Sequence, residues 1–237
     1  MGSAGLPLRR AVGAEGGLMT RALAAVAAAI MMFAAASPAE PVYRVETEKK
    51  VVAITFDDGP HPKKTEKILA VLEKYGAAAT FFVVGKNAEY YPDVICEVVS
   101  AGHEVANHTY SHATLGRCGA DKIEREILSA EESILSACGA KTKLLRPPEG
   151  SCSREVMNVA SRLGYSVILW NIDTRDWAHK GTEEIVENVK KNVRPGSIIL
   201  FHDYTVGENH TVDALEKVLC HLSEEGYGFV TVGELIG

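Results

Sequence analysis

A chain of 237 residues with 46% hydrophobic and 24% charged residues has the balance of a globular protein, which excludes a disordered chain and a multi-span membrane protein. Its formal charge of -6 lacks the basic surplus that general nucleic-acid binding requires, so no nucleic-acid partner is expected. Cys96, Cys118, Cys138, Cys152 and Cys220 are odd in number and form no CxxC pair, so they suggest neither a zinc knuckle nor a dense disulfide framework, and no pairing follows.

The N-terminus differs in kind from the rest. Arg9, Arg10 and Arg21 precede an uncharged run over 22–36, and Ser37, Pro38 and Ala39 follow it. A basic region, an apolar region and small residues at a cleavage-like position predict an export signal over 1–39. The run falls short of the roughly 20 apolar residues of a comfortable membrane span, which favours cleavage over a signal anchor. Removal would leave 22 basic and 30 acidic residues, a net charge of -8. The expectation is an acidic, exported protein of the cell envelope or exterior, with no stable membrane association once the signal is cut. Residues 40–50 are polar and read as a lead-in segment across the outside of a single domain, 51–237.

Within that domain, strand-like and helix-like stretches alternate. Residues 51–56, VVAITF, predict a strand buried on both faces, broken by Asp57, Asp58 and a Gly-Pro turn. Over 63–75, Ile68, Leu69, Val71 and Leu72 recur at helical spacing. Residues 79–84 predict a second strand, 88–101 a second helix closed by Gly102, 104–107 a third strand, and 121–138 a long amphipathic helix. The second half repeats the rhythm. Strands are predicted at 143–146, 167–170, 197–201 and 228–232, with helices at 153–163, 182–192 and 212–225. About seven strands alternating with helices predict a parallel sheet covered by helices, in a closed or nearly closed barrel.

Such a fold collects the loops after its strands on one face. Asp57 and Asp58 stand side by side there, and neighbouring carboxylates need a cation to remain charged together. His108 and His112, in HTYSH, lie four residues apart and could share one side of a helical turn. One carboxylate with two imidazoles makes an open divalent-metal site with room for water and substrate. Arg146 in RPPEG can pair with a carboxylate, DTRDW over 173–177 supplies two acids and an indole, and His202 in LFHD follows an apolar strand directly. Taken singly, each reads as a capping turn, a structural ion pair or a satisfied histidine; together they converge.

In that order, TFDDGP, HTYSH, RPPEG, DTRDW and LFH closely resemble the five motifs of the polysaccharide deacetylases with a NodB-homology domain, carbohydrate esterase family 4. The resemblance spans about 51–232 and implies a distorted (β/α) barrel that hydrolyses N-acetyl groups of a peptidoglycan or chitin-like glycan, with peptidoglycan favoured. It implies Asp57 as catalytic base, Asp58, His108 and His112 as ligands of one divalent ion, zinc foremost, with cobalt, manganese or nickel as alternatives, and Arg146 as the residue holding the base charged. His202 would be the general acid tuned by Asp176. Pro148, Glu149, Trp177 and Leu200 would meet the substrate, and the backbone N–H of Glu149 would face the oxyanion. Glu149 departs from the family pattern, where an aromatic residue is common, so sugar preference could differ. A monomer is expected. The rival readings are a catalytically silent glycan-binding or wall-structural module and an amidohydrolase acting on a non-glycan acyl group.

Overall fold

The computed structural model describes residues 1–2, 40–205, 207 and 210–237. The chain divides into two units, Met1–Ser37 and Pro38–Gly237. Apart from residues 1–2, the predicted export signal lies outside the described residues, and among those described no helix is long and apolar enough to cross a membrane. The second unit carries all that follows.

Strand β1, Val51–Asp57, is the axis of the sheet. On either side of it run β2, Ala79–Val83, and β7, Ile198–His202, both parallel to it, while the short β8, Gly228–Phe229, pairs with its first residues. The sheet continues from β2 through β3, Glu104–Asn107, and β4, Leu144–Leu145, to β5, Ser166–Val167, and from β7 to β6, Ile172–Asp173. All the ladders are parallel. Consecutive β5 and β6 thus stand at opposite ends of the strand order.

Alternation along the strands sorts side chains into two layers. Val52, Ile54 and Phe56 of β1, with Phe81 of β2 and Ile199 and Phe201 of β7, face the helices in the larger core. Phe56 stacks on Phe81 at 4.8 Å between centroids. Helices α1, Lys64–Lys74, α6, Thr182–Asn192, and α7, Thr211–Glu224, cover this face with buried positions such as Ile68, Leu72, Ile185 and Leu219. The opposite face holds Ala53, Phe82, Ala106, Leu144 and Ile198, and continues along β1 to Thr55 and Asp57. The same strand that is apolar toward the helices is therefore polar toward the barrel interior at its carboxyl end.

Several elements differ from the sequence expectations. The helix predicted over 88–101 is two, α2, Gly85–Tyr90, and α3, Pro92–Ser100, because Pro92 starts a new helix and cannot continue an old one. The long helix α4, Ala120–Cys138, stops at left-handed Gly139, and α5, Arg154–Arg162, is capped by the Ser153 hydroxyl. The strand predicted over 167–170 is only β5, and Trp170 lies beyond it. The predicted last strand gives way to helix α8, Val232–Ile236, nucleated by a capping box in which Thr231 and Glu234 satisfy each other's backbone N–H groups.

The lead-in segment 40–50 has no fully buried residue, and it is hydrogen-bonded to the domain beneath it. Val42 donates to Val167 O and accepts from Leu169 N, while Val45 donates to Gly196 O, so the segment is stitched to the chain on both sides of the β5–β6 gap.

Candidate active site

Register brings the motif residues level. Asp57 pairs with His202 across β1 and β7, Asn107 pairs with Leu145 across β3 and β4, so that His108 and Arg146 follow together, and Asp173 pairs with Leu200. Their side chains gather around a cavity of about 490 Å³ lined by Asp57, Asp58, His108, His112, Glu149, Trp170, Asp173, Trp177, Leu200 and His202.

Arg146, fully buried, forms the back of one flank. Its Nη1 donates to Asp57 Oδ1 at 2.7 Å and to Thr55 Oγ1 at 2.8 Å, its Nη2 to Leu169 O at 3.0 Å, and its Nε to Ile168 O at 3.2 Å. The guanidinium carbon stands 3.9 Å from the centre of the Phe82 ring. Burial lowers the pKa of this guanidinium, and the charge and hydrogen bond of Asp57 act against that. A buried charge so enclosed is tolerable only because carbonyls, a hydroxyl and a carboxylate take up its donors.

Asp58 turns toward the histidines. His112 Nε2 lies 3.0 Å and His108 Nε2 3.3 Å from its Oδ1. His108 Nδ1 is 2.7 Å from the carbonyl oxygen of Arg146, which puts a ring proton on Nδ1 and aims Nε2 at Asp58. Burial raises the Asp58 pKa, but hydrogen bonds from the two imidazoles and their charge outweigh it and hold the carboxyl far below the usual carboxylate range. The ligand atoms of Asp58, His108 and His112 all lie within 4.8 Å of one another, a donor set that fits one divalent ion with further positions open.

The two histidines do not share a helical face as their spacing suggested. Residues 108–112 form an irregular turn in which Thr109 (φ 67°) and His112 (φ 57°) are left-handed. Asn107 accepts from Thr109 N at 2.8 Å, and Glu126 of α4 accepts from both the N–H and the hydroxyl of Ser111 at 2.8 and 2.7 Å. Convergence comes from backbone strain held by these bonds.

On the opposite flank His202 Nδ1 stands 2.8 Å from Asp176 Oδ1, and the His202 N–H donates to Asp176 Oδ2 at 2.9 Å. Thr211 and the Trp177 N–H donate to the same carboxylate at 2.6 and 3.0 Å. Burial lowers the His202 pKa, but the hydrogen bond and charge of Asp176 dominate and carry it up to about 9. Burial raises Asp176, yet its bonds to His202 and Thr211 leave it below the ordinary carboxylate value.

Of the residues expected to meet substrate, Glu149, Trp177 and Leu200 line the cavity. Glu149 is left-handed (φ 59°) within the 3₁₀ turn Pro148–Gly150, and Trp177 is 49% exposed. Pro148, the first residue of that turn, is buried and is not among the lining residues. Sequence reasoning missed Trp170 and Asp173 as lining residues and Thr55 as a partner of Arg146. Position beyond an apolar stretch was the available signal for Trp170; for Thr55 it was a hydroxyl on the inward phase of β1.

The family profile described as polysaccharide deacetylase matches residues 44–168. The chain is 39% identical over 196 residues to a peptidoglycan-N-acetylglucosamine deacetylase of Bacillus cereus, covering 82% of this chain and 92% of that protein. It is 39% identical over 197 residues to a chitooligosaccharide deacetylase of Sinorhizobium fredii, covering 78% of this chain and 92% of the other. Its fold matches that of a CE4 family pseudoenzyme from Bacillus anthracis with a TM-score of 0.79, 30% identity, and coverage of 85% of this chain and 70% of that one.

Proposed function

The chain belongs to the polysaccharide deacetylase family, and from that premise we propose that it hydrolyses N-acetyl groups of a cell-wall glycan, releasing acetate and leaving a free amine. The observation that carries this reading is the flanking of one metal-competent trio, Asp58, His108 and His112, by a fixed carboxylate on one side and a basic imidazole on the other. Asp58, His108 and His112 would hold a divalent ion, zinc foremost, which would supply polarisation of the amide oxygen and a lowered pKa for water.

Everything else falls to the protein. Asp57 takes a proton from the attacking water as the new C–O bond forms, and its pairing with Arg146 keeps it a carboxylate able to do so. The N–H of Glu149, in its left-handed turn, faces the carbonyl oxygen as negative charge develops there. An amine leaves poorly until it is protonated. His202, raised to about 9, carries a proton at neutral pH and delivers it to nitrogen as the C–N bond breaks. Leu200 and Trp177 enclose the acetyl methyl.

Peptidoglycan is the favoured polymer, in line with the Bacillus cereus relative, and chitooligosaccharide is the competing one. Export to the envelope and a monomeric state complete the reading. Mass spectrometry of peptidoglycan fragments and chitooligosaccharides incubated with the protein and Zn, Co, Mn or Ni tests it. Loss of one acetyl per modified sugar, with stoichiometric acetate, is expected. No release with any of these ions would favour a silent module, a state that the pseudoenzyme of Bacillus anthracis makes a concrete alternative.

A further inference from the structure

Asp203, the residue after His202, has no part in that chemistry, yet it is 1% exposed and its carboxyl lies beneath the turn that presents Asp58. Its N–H donates to Asp57 O at 3.2 Å, extending the β1–β7 pairing by one residue. Its Oδ2 accepts from the Thr65 hydroxyl at 2.6 Å, and Thr65 in turn accepts from the His61 N–H at 2.9 Å. Gly59 is pressed against the same carboxyl. A Cβ added there would stand 2.1 to 2.4 Å from the carboxyl atoms, closer than any real contact. From the other side, Asn87 Nδ2 donates to Asp58 O at 2.7 Å and the Val84 N–H to Gly59 O at 2.9 Å. The turn is thus gripped above by β2 and α2, and supported below by one side chain.

That support is chemically expensive. Asp203 Oδ1 is buried without a hydrogen-bond partner among the described residues, a cost that a neutral or apolar filler of the same space would avoid. The geometry points to Asp203 as a positioning residue that fixes where Asp58 stands and thereby sets the affinity of the trio for a divalent ion. The carboxyl is the shape and acceptor that fit between Gly59 and Thr65; a smaller side chain lets the turn sink, and a Cβ at Gly59 lifts it. Either shift moves Asp58 relative to two imidazoles that their own turn holds in place.

This inference rests on the reading of Asp58 as a metal ligand, and the test separates the two. Zinc affinity is measured by competition with a chromophoric chelator on the full chain, alongside thermal denaturation. Asp203→Ala and Gly59→Ala are expected to weaken binding about tenfold or more, the range for residues that orient ligands from behind. Asp203→Asn, which keeps the shape and the acceptor for Thr65, is expected to stay within about threefold of the parent on the same scale. A merely structural residue would lower the melting temperature and leave affinity unmoved, so a folded Asp203→Ala protein with parental affinity overturns the inference. If Asp203→Ala does not fold, Thr65→Val decides in its place, since it leaves the carboxyl and removes its donor, together with the acceptor of the His61 N–H: weakened zinc binding supports the inference and parental binding overturns it. Asp58→Asn is the control. Parental zinc binding in that variant would overturn the metal-site reading and the inference with it.

Discussion

On the flank built by β1 and β4, a carboxylate is held by a buried cation; on the flank built by β6 and β7, an imidazole is held by a buried carboxylate. Asp57 and His202 are register partners on adjacent strands, yet their supports differ in more than sign. Arg146 spends its donors on two backbone carbonyls, a hydroxyl and Asp57, and a guanidinium does not give up its proton in the working range. That flank is locked. Asp176 is instead satisfied by groups of its own loop and by Thr211, and the imidazole it supports titrates near 9. One flank fixes a charge and the other tunes one.

The sharpest way to break this asymmetry is Arg146→Ala. It strands Asp57 as a buried carboxylate without a partner, which costs about 3–5 kcal/mol for a pair broken from one side. The melting temperature should fall by about 10 °C, at 2–4 °C per kcal/mol for a domain of this size. Loss of activity should accompany it, and calorimetry with acetate release measures both. Asp57→Asn isolates the chemistry from the support. Turnover should fall by about 10²–10⁴, the range for a general base, while zinc stays bound; retained turnover would remove Asp57 from its proposed role.

Asp176→Asn tests the tuned flank. With the carboxylate gone, the alkaline limb of the kcat profile should move from about 9 toward the ordinary histidine value near 6.5, with kcat at pH 8 lowered. The sign for stability follows from the same shift. Because the folded pKa lies above the unfolded one, the His202–Asp176 pair contributes fully below about 6.5 and its contribution is lost as pH rises through about 9. The variant should therefore show a flatter decline of melting temperature between those values. The smallest effect belongs to Glu149→Tyr at the cavity rim. Its side chain is exposed and meets Thr114 at only 3.3 Å, so stability should change by less than about 0.5 kcal/mol, while the ratio of kcat/KM between peptidoglycan fragments and chitooligosaccharides shifts.

Much of the cavity was legible because strand ends in a parallel barrel impose a common level. An apolar run that stops at Asp57, and another that stops at His202, already place both at one rim. What could not be read is how side chains reach one another across that rim. The HTYSH spacing suggested a helical face, whereas left-handed Thr109 and His112 bring the imidazoles together. Periodicity cannot report such angles, since they are held by side-chain acceptors, Asn107 just before the turn and Glu126 on α4. Among the described residues, the six non-glycine residues with positive φ are Asp58, Thr109, His112, Glu149, Arg175 and His179, and each lies in or beside a loop of the site. Local rules fail where function concentrates. The short strands β4, β5 and β6 were hard to bound for a plainer reason: two residues carry no period.

The stitching of residues 42–45 across the β5–β6 gap also governs where the protein can be cut. The two flanks belong to opposite arms of an open sheet, and among the described residues the only backbone ladder across the gap is the one that Val42 and Val45 supply. A recombinant product trimmed to begin at Val51 would retain the motif residues named above and yet lack the strap that ties one arm to the other. A start before Val42, nine residues upstream of the first strand, is therefore expected to give a higher melting temperature than a start at Val51, which thermal denaturation of the two products would check.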